Sequence, residues 1–219
     1  MIRIVSTKKL QPNQKQFLLN AGLSVVDADF ITISHRGFTL ENINGNLIFT
    51  SANAVKAVAN HPDVQQIRRN PCFCVGEKTA ELLDEVGFTV VEIADYASQL
   101  AEITQTGYLH ETFTFFCGNF RMETLPCSMK SAGIVFNEIA VYQTILTPVK
   151  VAEPDGILFF SPSGVESYLI QNPIGDAACF CIGETTANAL QSKTNNIIIA
   201  NKPSVENVII QCINHYKMS

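Results

Sequence analysis

Four short runs of small polar residues carry the chemistry this sequence can offer. They are Ser51-Ala52-Asn53, Gly76 to Thr79, Ser161 to Gly164 and Gly183 to Thr186, and each follows an apolar run that reads as a strand. The first turn of a helix has unpaired N–H groups and the positive end of the helix dipole, which favour an anion. Hydroxyls at these positions either cap the helix or add a donor for a carboxylate. Ser51, Ala52, Asn53, Thr79, Ser161, Ser163, Gly164, Thr185 and Thr186 are therefore candidate ligand contacts, with plain helix capping as the alternative.

The runs come in matched pairs. Residues 72–80 read Cys-Phe-Cys-Val-Gly-Glu-Lys-Thr-Ala and residues 179–187 read Cys-Phe-Cys-Ile-Gly-Glu-Thr-Thr-Ala, identical at seven of nine positions. Upstream, residues 47–55 read Leu-Ile-Phe-Thr-Ser-Ala-Asn-Ala-Val and residues 158–165 read Leu-Phe-Phe-Ser-Pro-Ser-Gly-Val. An ordered pair of motifs that recurs half a chain later implies two similar lobes, with function expected in the cleft between them. A fifth turn, Gly118-Asn119-Phe120-Arg121, offers a guanidinium able to grip a carboxylate with two parallel bonds, the alternative being a plain surface arginine. Tyr142 ends a strand-like run, and its hydroxyl is expected to face the gap between lobes; the alternative is a packing residue.

Several chemistries find no support. No Gly-x4-Gly-Lys-Ser/Thr phosphate loop occurs, and no Gly-x-Gly-x-x-Gly follows a strand. The four histidines are scattered. The pairs Cys72/Cys74 and Cys179/Cys181 lie in apolar runs at a spacing that sets both sulfurs on one strand face, which suits buried thiols better than a zinc loop. A net charge of −5 without a basic cluster argues against nucleic acid. No apolar run approaches the roughly 20 residues of a membrane span, and the N-terminus lacks signal-peptide anatomy, so a cytoplasmic protein is expected.

The elements that must position these residues alternate. Eleven short apolar runs are separated mostly by amphipathic stretches of 8–14 residues, the pattern of parallel sheets covered on both faces. Gly22, Gly87 and Gly133 stand where helices would end in a left-handed cap. The repeat implies one lobe from both termini, residues 1–35 and 149–219, and one from residues 38–145. Two crossings would join them as a hinge, near His35–Gly37 and near Thr144–Val149.

With those residues in view, the chain resembles the uroporphyrinogen-III synthase family along nearly its whole length. The resemblance is carried by residues 48–55, 75–80, Gly118-Asn119, 141–144, 159–165 and 182–187, in that order and spacing. It implies an α/β fold of two flavodoxin-like, doubly wound parallel sheets joined by a two-stranded hinge, with the active cleft between them. It further implies a lyase of tetrapyrrole biosynthesis that needs no cofactor and no metal. Its substrate would be the linear tetrapyrrole hydroxymethylbilane, closed to uroporphyrinogen III with loss of water and inversion of ring D. By position, Tyr142 matches the family's tyrosine thought to assist departure of the hydroxyl, and Ser51, Thr79, Ser161 and Thr186 match polar cleft positions. Departures are Glu184, where many members carry proline, and Thr7-Lys8, where many carry an arginine. An acidic chain that takes a polycarboxylate should rely on backbone N–H groups, helped by cations such as Lys8 and Arg121. A monomer is expected. The readings from other classes are a non-catalytic two-lobe binder or sensor of an anionic small molecule and, more weakly, a flavin or nucleotide binder.

Overall fold

In this computed structural model, residues 1–217 are described. In chain order the elements are β1 (Arg3–Ser6), α1 (Pro12–Asn20), β2 (Ser24–Asp27), β3 (Ile31–His35), β4 (Asn46–Phe49), α2 (Ala52–Ala59), β5 (Pro71–Val75), α3 (Glu77–Glu85), β6 (Thr89–Ala94) and α4 (Ala97–Gly107). There follow β7 (Thr112–Gly118), α5 (Thr124–Ser131), β8 (Val135–Leu146), β9 (Gly156–Phe159), α6 (Pro162–Gln171), β10 (Ala178–Cys181), α7 (Glu184–Asn188), β11 (Ile197–Ile199) and α8 (Val205–Lys217).

Two compact units result. One is Met1–Thr32 with the chain from Ile145 onward, and the other is Ile33–Thr144. The terminal unit holds a sheet in the order β11-β10-β9-β1-β2, with every neighbouring pair parallel. The central unit holds β3-β8-β7-β4-β5-β6, parallel from β8 to β6. The two orders are the same arrangement entered at different points: β9, β10, β11, β1 and β2 stand where β4, β5, β6, β7 and β8 stand. The repeated motifs thus occupy equivalent strands, β4 with β9 and β5 with β10.

Burial explains why the sequence reads as unbroken apolar runs. All four residues of β4, β9 and β10 are buried, because helices cover both faces of each sheet. In the central unit Leu47, Phe49, Cys72 and Cys74 pack under α2 and α3, while Ile48, Phe73, Phe113 and Phe115 pack under α4 and α5. In the terminal unit Val5, Ile157, Cys179 and Cys181 face α6 and α7, while Ile4, Leu158 and Phe180 face α1 and α8. Both cysteine pairs lie on single strand faces, as their spacing requires.

Two elements depart from the sequence pattern. β8 runs on to Leu146 instead of stopping at Tyr142, since nothing breaks a strand before Pro148. The boundary between the units falls inside β3 and β8. α7 closes after Asn188, where the pattern of residues 185–191 predicts a helix running to Gln191.

Candidate functional site

In a doubly wound sheet, ligands bind beyond the strand carboxyl ends where two neighbouring strands lead their connections opposite ways. That point lies between β9 and β1 in the terminal unit, and between β4 and β7 in the central one. Each unit brings sequence candidates together there.

In the central unit the β4 turn meets the end of β7. Ser51 is extended and caps α2, its Oγ accepting from Asn53 N–H at 3.1 Å. Ser51, Ala52 and Asn53 are all partly exposed. Tyr142 on β8 is half-buried and lies against Gly118, where a Cβ would come within 2.5 Å of its ring. Burial pushes the Tyr142 phenol above its ordinary value, hydrogen bonding with Ser51 works against this, and nearby Cys117 adds to the rise. The group is therefore a protonated donor at neutral pH.

Two other candidates of this turn are engaged within their own unit. The Asn119 amide donates to Thr144 O at 3.1 Å and accepts from Thr144 N–H at 2.7 Å. Arg121 pairs with Glu138 and with Glu123, so the fork expected to grip a ligand carboxylate already holds two carboxylates of the chain. The sequence held this partnership only implicitly, since Glu138 becomes a neighbour through β7–β8 pairing.

In the terminal unit Ser161 caps α6, accepting from Gly164 N–H at 3.0 Å, and its Oγ lies 3.1 Å from Ser163 Oγ. Thr7, at the end of β1, closes the group. It is buried, its hydroxyl donates to Leu158 O at 2.9 Å, and its Oγ1 lies 3.4 Å from where a Gly164 Cβ would stand. Thr7 was not among the candidates, for it belongs to no repeated run; its place at the end of the strand beside β9 is the signal that finds it. Lys8 follows it and is exposed. Its segment is fixed by Ser6 Oγ donating to Lys8 O, and by Asp29 and Asp27 accepting from the N–H groups of Lys9 and Leu10.

The second pair of turns lies one strand away from these points. Thr79 and Thr186 are buried, whereas Thr185 is exposed. Their buried side chains face the protein, so the surface donors left at these turns are backbone N–H groups, Lys78 and Thr185. α7, with five residues, carries little dipole. Among the described residues, no three His, Cys, Asp or Glu side chains gather as a metal-binding group, and no helix is long and apolar enough to cross a membrane.

Taken together, the strand orders and the polar turns define a two-unit, doubly wound α/β protein with ligand-ready turns at the strand carboxyl ends of each unit. Solved structures with this fold are similar over the entire chain. The uroporphyrinogen-III synthetase of Helicobacter pylori superposes with a TM-score of 0.71 at 21% identity, covering 98% of this chain and 100% of that one. A mutant uroporphyrinogen III synthase of Thermus thermophilus gives a TM-score of 0.74 at 12% identity, covering 100% and 99%. The family model described as uroporphyrinogen-III synthase HemD matches residues 15–210. The chain belongs to the uroporphyrinogen-III synthase family, and its function is that of the family, a lyase acting on a tetrapyrrole in haem biosynthesis.

Proposed function

We propose that the chain closes hydroxymethylbilane to uroporphyrinogen III, with loss of water and inversion of ring D, and that Tyr142 is the general acid. The observation that carries this reading is the half-buried phenol beside the Ser51 turn, held in its protonated form by burial. In the first step the hydroxymethyl C–O bond breaks, the pyrrole nitrogen supplies the electron pair, and the phenol proton accompanies the departing oxygen as water. Because the pyrrole pushes, the acid need contribute only about 10²-fold. The substituted α-carbon of ring D then attacks the cationic methylene to give a spirocycle, which opens and recloses with that ring inverted. Proton loss restores the aromatic pyrrole.

Control of which carbon attacks is a matter of position. The substrate's carboxylates are read as bound by the turns of Ser51-Ala52-Asn53 and Ser161-Ser163-Gly164, with Lys8, Thr185 and the N–H groups following Gly76 and Gly183 as further contacts. Support comes from the half-exposed residues that open the two helices, Ser51–Asn53 at α2 and Ser161–Pro162 at α6, each with a capping serine, while Ser163 and Gly164 behind Ser161 are buried. The reading includes a monomer working in the cytoplasm; the seven unpaired cysteines are the usage of a reducing compartment.

Incubation with freshly made hydroxymethylbilane, followed by isomer analysis of the oxidised porphyrin, tests it. Type III product above the spontaneous type I background is expected, and Tyr142→Phe should lower turnover at least about ten-fold with the fold intact. Type I alone would leave a non-catalytic binder, and unchanged kinetics in the variant would remove Tyr142 from the mechanism.

A further inference from the structure

The pairing of β7 with β8 steps evenly from Thr112↔Val135 to Cys117↔Ala140 and then jumps to Gly118↔Tyr142. Val141 is thus one extra residue on β8, a bulge of the kind that re-aims a side chain. Side chains on a strand alternate between faces. Before the bulge they do so here: Phe136 packs with the cluster under α4 and α5, and Ile139 with the cluster under α2 and α3. Strict alternation would send Tyr142 back to the Phe136 face. It packs instead beside Ile139 and Val141, on the face of α2 whose capping residue is Ser51.

The neighbouring strand is shaped to receive it. On β7, Phe116 faces the α2 and α3 cluster, and Gly118, two residues on, shares that face. A Cβ at Gly118 would lie 2.5 Å from Tyr142 Cζ and 2.9 Å from its hydroxyl oxygen, so the ring fills the volume any other side chain would take. Two residues beyond the ring, the Asn119 amide holds both the N–H and the carbonyl of Thr144, which fixes β8 just past the bulge.

We propose that the Val141 bulge, Gly118 and Asn119 form a seat that aims the Tyr142 phenol toward the Ser51 turn. Gly118 and Asn119 are then positioning residues and not contacts to substrate. The effect on turnover rests on the role proposed above for Tyr142; the seat itself does not.

The test uses the full chain with its five tyrosines labelled with carbon-13 at Cζ. Tyr142→Phe assigns the Tyr142 resonance. Gly118→Ala is expected to shift that resonance and bring its titration toward that of a free tyrosine, leaving the other four unmoved. Turnover should fall by roughly ten-fold or more with KM little changed. Asn119→Ala should do the same by a lesser amount. Asn119→Asp, which accepts from Thr144 N–H but cannot donate to its carbonyl, should lie between Asn119→Ala and the parent. Asn119→Ala also covers the case in which Gly118→Ala does not fold. A Tyr142 resonance unmoved in the folded variants overturns the seat. A moved resonance with unchanged kcat upholds the seat and overturns the acid role of Tyr142.

Discussion

Tyr142 is a weak acid that its surroundings make weaker. Burial favours the neutral phenol, so the folded-state value lies above the ordinary 10.0. A group raised in this way stays protonated through neutral pH and loses its proton only as the pH climbs past its ordinary range. The alkaline fall in kcat assigned to this residue should therefore lie above pH 10, and Tyr142→Phe should abolish that fall; a limb near pH 8 that survives in the variant would belong to another group. Tyr142, Ser51 and Ser161 were legible in the sequence as polar residues at the ends of apolar runs. Arg121 was legible only by type. Its partners Glu138 and Glu123 are 17 and 2 residues away, and the first is brought in by strand pairing that no local pattern encodes. The same limit hides the turned face of Tyr142, because period-two reading cannot show an extra residue on one strand.

At the scale of the element, the two copies of the Gly-Glu turn differ although their letters match. Gly76 takes φ 87° and ψ 135°, a region nearly closed to residues with a Cβ, while Gly183 is extended at φ −177°. Gly76→Ala should cost about 1–3 kcal/mol, whereas Gly183→Ala, whose Cβ would meet nothing within 4 Å, should be close to neutral in urea unfolding. Equal losses would refute the distinction. Asn172, buried after α6, donates to Val149 O and Tyr168 O and accepts from Val151 N–H, tying the segment that leads into β9 to that helix. Asn172→Ala strands these backbone groups and should cost about 2–4 kcal/mol; a melting temperature equal to the parent's would show that water replaces the bonds. Strands and helices were largely readable because Gly22, Gly87 and Gly133, the expected helix stops, all have positive φ at the ends of α1, α3 and α5. α7 was overread, since the Thr-Thr-Ala run looks helical although only five residues close into turns.

For the molecule as a whole, burial of thiols couples stability to alkali. Cys72, Cys179, Cys181 and Cys212 are pushed up to about 12, and Cys74 and Cys117 to about 11, chiefly by burial, from an ordinary 9.0. Below pH 9 these thiols are neutral folded or unfolded. Above it the unfolded chain ionises first, so stability is lost as the pH rises through 9 toward 11–12. The urea midpoint should drop across that window, and Cys212→Ala, with one buried thiol fewer, should show a shallower drop; a midpoint flat from pH 8.5 to 11 would contradict this. The division into two units followed from the repeat, but the order of strands within each sheet did not. Order is set by pairings across long separations, such as Ile4 with Gly156, which leave no local mark.

The offset entry points of the two sheets have a consequence for how the protein is made. β1 sits inside its sheet, flanked by β2 and β9, so it leaves the ribosome about 150 residues ahead of its partner β9. The central unit, contiguous in sequence, has all its strands available earlier and is placed to mature first on the nascent chain. Until Gly156–Phe159 emerges, the apolar side of β1 needs shelter, so synthesis halted near residue 150 would release a half-finished product prone to clump or to recruit chaperones.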